Sequence, residues 1–513
     1  MRTRWRVGAT VGFAFACAAS CAPARAPVPE TQPNILWIFL EDTAPLMGVY
    51  GTTVIETPRI DDLAAAGVAF TQAIMPAPVC SASRSSIITG SMSTTLGLHN
   101  HHSSRTPESA IELPGSYLTV PEVFREAGYF TFNNGKDDYN FRYDRHDLYE
   151  QPYSQHPLYG KRGDRIDLAT LEERQPFFGQ VQLAGGKEIF SGAFEEAASP
   201  GMNRALVNLP PYLPDHPTIV EEWADHLDAI RITDRKVGDI VDTLRESGVL
   251  DNTVVFFFSD HGMRLTRNKQ FLYDGGLRVP LVIADFRADP QLDPGTTDDR
   301  LVGGLDLGTS SLALAGLTIP GYMEGQDIFA ADFTGRDYVF STRDRCDFTI
   351  DRIRSVRSTR FKYIRNFLAD RPYTQPTYMD VDGVPFVRVM RQLSADGELD
   401  EAQQRFFSDT RPSVELYDLQ ADPHELINLA DDPEFSAVRD ELESVLQEWI
   451  ARTDDQGQYP EPDEGLKLML GIWGDHAVNP EYDELRERFP ALSGSQFPLK
   501  SAGWVQVPGS GLR

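Results

Sequence analysis

Cysteine is scarce in this chain of 513 residues, which holds four. Cys17 and Cys21 sit near the N-terminus, so only Cys80 and Cys346 remain in the body, and a disulfide-stapled scaffold is excluded. Basic residues are also in deficit: 48 Lys and Arg face 76 Asp and Glu, for a formal net charge of −28. Nucleic acid is therefore not an expected partner. An anionic substrate meets the wrong global field too, so its attraction has to come from a local basic pocket whose range is limited by screening. A long apolar run is missing as well: the uncharged stretch 7–19 is too short to span a bilayer and stay there. No internal repeat is found, and at this length one core does not suffice, so a large domain plus a smaller one is expected.

Arg2, Arg4 and Arg6 before the 7–19 run, and small residues after it, give residues 1–20 the form of a signal peptide, so export is expected. Two cleavage readings compete. Ala18-Ala19-Ser20-Cys21 resembles a lipobox with Cys21 lipidated, whereas Ala24-Arg25-Ala26 is an ordinary small-x-small site obstructed by Pro27. The expectation is a bacterial periplasmic protein or outer-membrane lipoprotein, with secretion as the alternative and a lipid anchor as the sole membrane contact. Residues 21–33, rich in Pro and Ala, read as a tether. An exported protein that keeps an unpaired cysteine inside a polar motif needs a reason for it.

Residues 34–40, Asn-Ile-Leu-Trp-Ile-Phe-Leu, have the length and composition of a strand buried on both faces, and they end abruptly in Glu41-Asp42. Thr57-Pro58 starts a helix that stops at Gly67, and Thr119 with Glu122 makes a capping box for another, ended by Gly128 before a strand over 129–133. A long helix is expected over 219–247, then a second doubly buried strand over 253–258 that runs into Ser259-Asp260-His261-Gly262. This alternation argues an α/β fold with a parallel-rich sheet covered by helices on both faces. Near residue 350 the pattern changes to strand-like alternation over 352–366 and 415–419, then helix over 434–451. The expected organisation is a catalytic domain over 34–350, a smaller C-terminal subdomain of antiparallel sheet plus helix over 351–452, and an extension over 453–513 that wraps the first domain.

In open parallel sheets, ligands bind beyond the carboxyl ends of the strands, where Asp42 and Asp260 are both expected. Converging carboxylates repel unless a positive group sits between them, and a hard divalent cation is the usual solution. Between these strands lies Cys80-Ser81-Ala82-Ser83-Arg84, followed by Ile87-Ile88 and Gly90. It reads as a short helix whose first turn holds Cys80 and Arg84 on one face, at an end that favours anionic oxygens.

The C-S-A-S-R stretch resembles the sulfatase signature, in which the cysteine is oxidised to formylglycine by a dedicated maturase. Three further stretches are sulfatase-like: Gly128 through Lys136, Ser259-Asp260-His261-Gly262 through Lys269 to Arg278-Val279-Pro280, and Glu415 through Leu429. Glycan N-sulfatases (sulfamidases) look like the nearest branch, given Ile353-Arg354-Ser355-Val356 and Lys362 through Asn366. The resemblance implies an alkaline-phosphatase-like fold, hydrolysis of sulfate esters or N-sulfamates of a sulfated carbohydrate, and metal ligands at Glu41, Asp42, Cys80, Asp260 and His261. Calcium is the ion it implies, with magnesium or manganese as alternatives. The hydrated aldehyde at position 80 would attack sulfur with Asp260 taking the proton, while Arg84, Lys136 and Lys269 neutralise the sulfuryl oxygens.

Two positions depart from the family pattern. Asp138 stands where many sulfatases carry a histidine, so it becomes the expected base of the second half-reaction. Lys187 replaces the histidine that often protonates the leaving group. The cluster His99, His101 and His102 either lines the pocket or is a solvated loop, with His101 and His102 taken as substrate contacts. Arg278, Arg343 and Arg345 are further substrate-binding candidates, although Arg343-Asp344-Arg345 also reads as a surface charge run. Two other readings stay open: a phosphodiesterase or phosphonate monoester hydrolase of the same superfamily, and a silent anion- or glycan-binding protein in which Cys80 remains a thiol.

Overall fold

The computed structural model describes residues 32–492, apart from 152–153, 157–159 and 163–164. The expected signal peptide over 1–20, Cys21 and nearly all of the tether lie outside the described residues, as does 493–513 of the extension. Seven strands form the main sheet: β1 Asn34–Leu40, β2 Gly67–Phe70, β3 Phe130–Asn134, β4 Phe177–Leu183, β5 Thr253–Ser259, β6 Leu281–Asp285 and β7 Thr296–Asp298. Their order across the sheet is β7-β2-β6-β5-β1-β4-β3, and β6 alone runs against its neighbours.

Side chains alternate across β1, and each set finds its own core. Ile35, Trp37 and Phe39 join Phe256 and Phe258 on one face, against helices α2 Cys80–Thr89, α3 Val120–Glu126 and, further along the chain, Asp306–Leu314. Leu36, Ile38 and Leu40 join Val255 and Phe257 on the other, against α1 Pro58–Ala65 and the 30-residue α4 Pro217–Glu246. Burying each such side chain contributes about 1.5–3 kcal/mol, so the central strands are the least movable part of the molecule. The helix starts follow local chemistry. Thr119 and Glu122 form the capping box of α3, and α4 opens on Pro217 with His216 Nδ1 accepting from Thr218 N at 3.2 Å.

A second, antiparallel sheet comprises β8 Val339–Arg343, β9 Ile353–Arg357, β10 Phe361–Asn366 and β11 Val414–Asp418, in that order. The expected strand stretch 352–366 is thus a hairpin, and the sheet begins at Val339, within the stretch 34–350. A helix over Ser436–Thr453 covers it, with Trp449 stacked on Phe340 at 4.7 Å between ring centroids. Beyond residue 452 the described chain carries two further α-helices, Asp463–Trp473 and Pro480–Arg488, which pack on Phe348. No helix among the described residues is long and apolar enough to cross a membrane.

Candidate functional site

Register sets the first contacts. Leu40 of β1 pairs with Ser259 of β5, so Glu41-Asp42 and Asp260-His261 leave adjacent strands side by side. Asp42 N donates to Asp260 Oδ1 at 3.1 Å, and Thr43 N donates to Ser259 Oγ at 3.1 Å. Asp42 turns back at φ 49°, a left-handed conformation that aspartate tolerates better than most residues. Helix α2 begins beside these strand ends, with Cys80 as its first residue and Ser83 Oγ donating to Asp260 O at 2.6 Å. Val79 at the N-cap offers the first-turn N–H groups no side-chain acceptor, which suits that end to anionic oxygens.

Donor atoms of Asp42, Cys80, Asp260 and His261 all lie within 4.8 Å of one another. His261 Nδ1 pairs with Gly262 O at 2.9 Å, which turns Nε2 toward Cys80 Sγ at 3.2 Å and Asp42 Oδ1 at 3.3 Å. Anchoring one ring nitrogen on a carbonyl while the other faces the donors is the usual arrangement of a metal-binding histidine. Two carboxylates, this imidazole and the group at position 80 therefore fit a divalent cation. Glu41, expected as a further ligand, lies outside this group: its carboxylate is held by Lys187 and by Lys136 at 3.3 Å.

Lysines ring Cys80. Lys269 Nζ lies 3.4 Å from Sγ and 2.9 Å from Asp42 Oδ2, and Lys187 Nζ lies 3.9 Å from Sγ. Burial raises the Cys80 thiol, but Lys136, Lys187 and Lys269 outweigh it and bring it down to about 7. Lys187 arrives through a turn that only glycine permits. Gly185 has φ 54° and a Cβ there would meet Glu41 O at 2.4 Å, while one on Gly186 would meet Asp42 O at 2.2 Å. Arg84 is fully buried, stacks over Phe39 at 4.2 Å, and donates to Asp260 Oδ2 and Gln182 Oε1, each at 2.9 Å. Five fixed cations, Arg84, Arg105, Lys136, Lys187 and Lys269, thus contact the carboxylates of Glu41, Asp42, Asp138 and Asp260. This is the local basic pocket that an acidic protein needs for an anionic substrate.

Two expected roles change. Asp138 accepts from Arg105 Nη2 at 2.5 Å, contacts Lys136 Nζ at 3.2 Å and pairs with His102 Nε2 at 3.0 Å. Burial alone would raise its pKa, yet Lys136 and His102 hold it well below the usual carboxylate range, so it is a poor base. Asp260 is also lowered, with burial opposed by His261 and Arg84. Lys187 is pushed well above its usual value because Asp42 and Cys80 outweigh burial, so it carries its proton at neutral pH.

His101 and His102 belong to the pocket rather than to a solvated loop. They stack at 3.6 Å between centroids, Ser81 Oγ meets His101 Nδ1 at 2.7 Å, and burial lowers both, leaving them neutral. Arg343 and Arg345 are interior clamps, not a surface run. Arg343 pairs with Asp351, and Arg345 holds Glu461 through Nε at 2.6 Å and Nη2 at 2.7 Å while Nη1 donates to His101 O at 2.9 Å. Arg278 donates to Thr71 O at 2.9 Å. Arg105, Gln182 and Asp347 are site residues that the motifs did not mark. A signal existed for Asp347 in its place two residues after Arg345.

Residues 33–317 match the Sulfatase family model. An ulvan-active sulfatase from Formosa agariphila is 31% identical over 500 residues, covering 88% of this chain and 80% of that protein. Human N-sulphoglucosamine sulphohydrolase is 24% identical, covering 82% and 90%. Among solved structures, a 2-O GAG sulfatase aligns with a TM-score of 0.61 at 21% identity, covering 84% of this chain and 94% of that one.

Proposed function

The chain belongs to the sulfatase family, and from that premise we propose that it hydrolyses sulfate esters or N-sulfamates of a sulfated carbohydrate, with the group at position 80 attacking sulfur. The observation that carries this reading is Cys80 at a helix start within contact of Lys187 and Lys269 and beside Asp42, Asp260 and His261. Formylglycine made from Cys80 by a maturase supplies a hydroxyl nucleophile when hydrated. A divalent cation held by Asp42, Asp260, His261 and residue 80 would supply Lewis-acid polarisation of the reacting oxygens; calcium is the ion we propose from the family resemblance, with the His261 nitrogen speaking for magnesium or manganese instead.

The chain's own residues do the rest. Lys136, Lys187 and Lys269 are fixed cations that bind sulfuryl oxygens as charge develops on them. Arg84 orients Asp260, whose Oδ1 already accepts from Asp42 N and His261 N, so Asp260 serves as a ligand and not as a base. His101 and His102 are unprotonated at neutral pH, and burial makes both weak bases; of the two we assign the proton acceptor's role to His102, whose ring Asp138 holds in place. A His102→Gln enzyme with unchanged kcat would return that role to another group.

The deciding experiment is a turnover screen of sulfated mono- and disaccharides against aryl phosphodiesters, with mass spectrometry of the Cys80 peptide from protein co-expressed with a maturase. Sugar-sulfate turnover and conversion of the thiol to the aldehyde are expected; preference for the phosphodiester, or an active enzyme with an intact thiol, overturns the reading. We also propose export with a lipid at Cys21: Cys21→Ser should move the protein from the membrane to the soluble fraction of exported protein, and unchanged fractionation overturns the anchor.

A further inference from the structure

Almost every acid near the pocket has a cation. Asp42 has Lys269, Asp138 has Arg105, Asp137 has Arg145, Asp260 has Arg84 and Asp351 has Arg343. Asp347 differs. Its carboxylate has Cys346 Sγ at 3.9 Å and His102 Nδ1 at 3.8 Å, and no closer polar partner among the described residues. Arg345, two residues away, takes the main-chain carbonyl of Asp347 at 2.6 Å and commits its remaining N–H groups elsewhere. The Asp347 side chain is nine-tenths buried, adopts φ 50° and accepts only the weak Cys346 thiol donor, so the fold holds there a carboxylate with no cation closed on it.

That acceptor lies near the reacting group, since His101 beside it meets Ser81, the residue after Cys80, at 2.7 Å. Donor atoms of His101, Cys346 and Asp347 lie within 4.8 Å of one another, and Lys269, 3.4 Å from Cys80 Sγ, acts electrostatically on all three. One side of the pocket is therefore cationic, and the other presents a carboxylate and a neutral imidazole. A sulfuryl group fits the first. A neutral group that donates a hydrogen bond fits the second, and an anion is repelled from it.

We propose that Asp347 sets substrate specificity by accepting a hydrogen bond from a free hydroxyl of the sulfated sugar ring, so that a ring with a second sulfate or a carboxylate at that position is rejected. This rests on the sulfated-carbohydrate reading above. Removing the carboxylate removes a contact to the sugar and a repulsion toward anions, and the two effects have opposite signs on different substrates.

The test compares mature wild type, Asp347→Ala and Asp347→Asn on the best monosulfated sugar, its singly deoxy analogues, its disulfated analogues and a sugar-free aryl sulfate. For Asp347→Ala, kcat/KM on the monosulfated sugar should fall at least about tenfold more than on the aryl sulfate, mainly through KM. One deoxy analogue should lose as much with wild type as the Asp347→Ala change does with the parent sugar. Asp347→Asn, which keeps an acceptor without the charge, should gain on a disulfated analogue relative to the parent. Equal losses on sugar and aryl sulfate, or a second metal equivalent that disappears in Asp347→Ala, overturns this inference alone. A wild type inactive on every sugar sulfate overturns the carbohydrate reading and this inference with it.

Discussion

The C-terminal sheet and the pocket around Cys80 both bury charge, and they do so differently. In the sheet the cations and acids form closed groups with no reacting atom among them: Arg354 meets Asp455 and Asp344, while Lys362 meets Glu425 at 2.7 Å and Asp274, which Arg357 also reaches at 3.3 Å. In the pocket the partners are shared. Glu41 is contacted by Lys136, Lys187 and Arg84, and Asp42 by Lys187, Lys269 and His261. The groups of the sheet neutralise one another in place, whereas the lysines of the pocket also leave positive potential directed at the Cys80 sulfur. Buried charge is structural in the first region and chemical in the second.

Mutations can break that distinction. Cys80→Ala should lower turnover at least about 10³-fold while leaving the melting temperature within about 2 °C, because the residue contributes little to the core; steady-state kinetics with calorimetry checks both. Arg354→Ala should do the reverse. It strands Asp344 and Asp455 in the interior and should destabilise by about 3–5 kcal/mol, read by denaturant titration, with the folded fraction still turning over. A stable but inactive Arg354→Ala would place the C-terminal sheet in the chemistry. Exhaustive chelation comes next in size. It leaves Asp42 and Asp260 facing each other across the pocket and removes a ligand of the native state, so about 2.7 kcal/mol should be lost if the ion was present at a hundredfold its dissociation constant. Unchanged stability together with no divalent ion in metal analysis would refute the four-donor site.

The same contrast explains what the sequence could show. Strand 34–40 and the Thr119–Glu122 capping box were legible because their signals are local: apolar run length, and cap chemistry three residues apart. β4 was not read as a strand, since Gln180 and Gln182 break its apolar run, and those polar groups are satisfied by Tyr149 and Arg84 from distant segments. The helix Asp463–Trp473 was unread for a similar reason, because its partner Phe348 lies far off in sequence. Motif spacing brought Asp42, Cys80, Arg84, Lys136, Asp260, His261 and Lys269 to one place. It could not tell that Arg343 and Arg345 were already engaged, because a cation's partner is a tertiary fact.

The smallest expected effect separates the two body cysteines in protein made without a maturase. Burial raises both thiols. At Cys80 the three lysines reverse this and bring it from 9.0 to about 7, whereas at Cys346 the nearby Asp347 adds to burial and drives the thiol well above its usual value. Between pH 6 and 8 or thereabouts, the thiolate absorbance should therefore rise by a single equivalent, centred about 7, and Cys80→Ala should abolish the rise. The folded pKa lies below the unfolded one, so the stability that this ionisation contributes is fully present above the ordinary thiol value and is lost as pH falls through about 7. Lys269→Met removes the cation nearest to the sulfur and should move the midpoint upward. A midpoint unmoved by that change would mean that the lysine ring does not act on position 80, and the contrast between the sheet and the pocket would lose its chemical meaning.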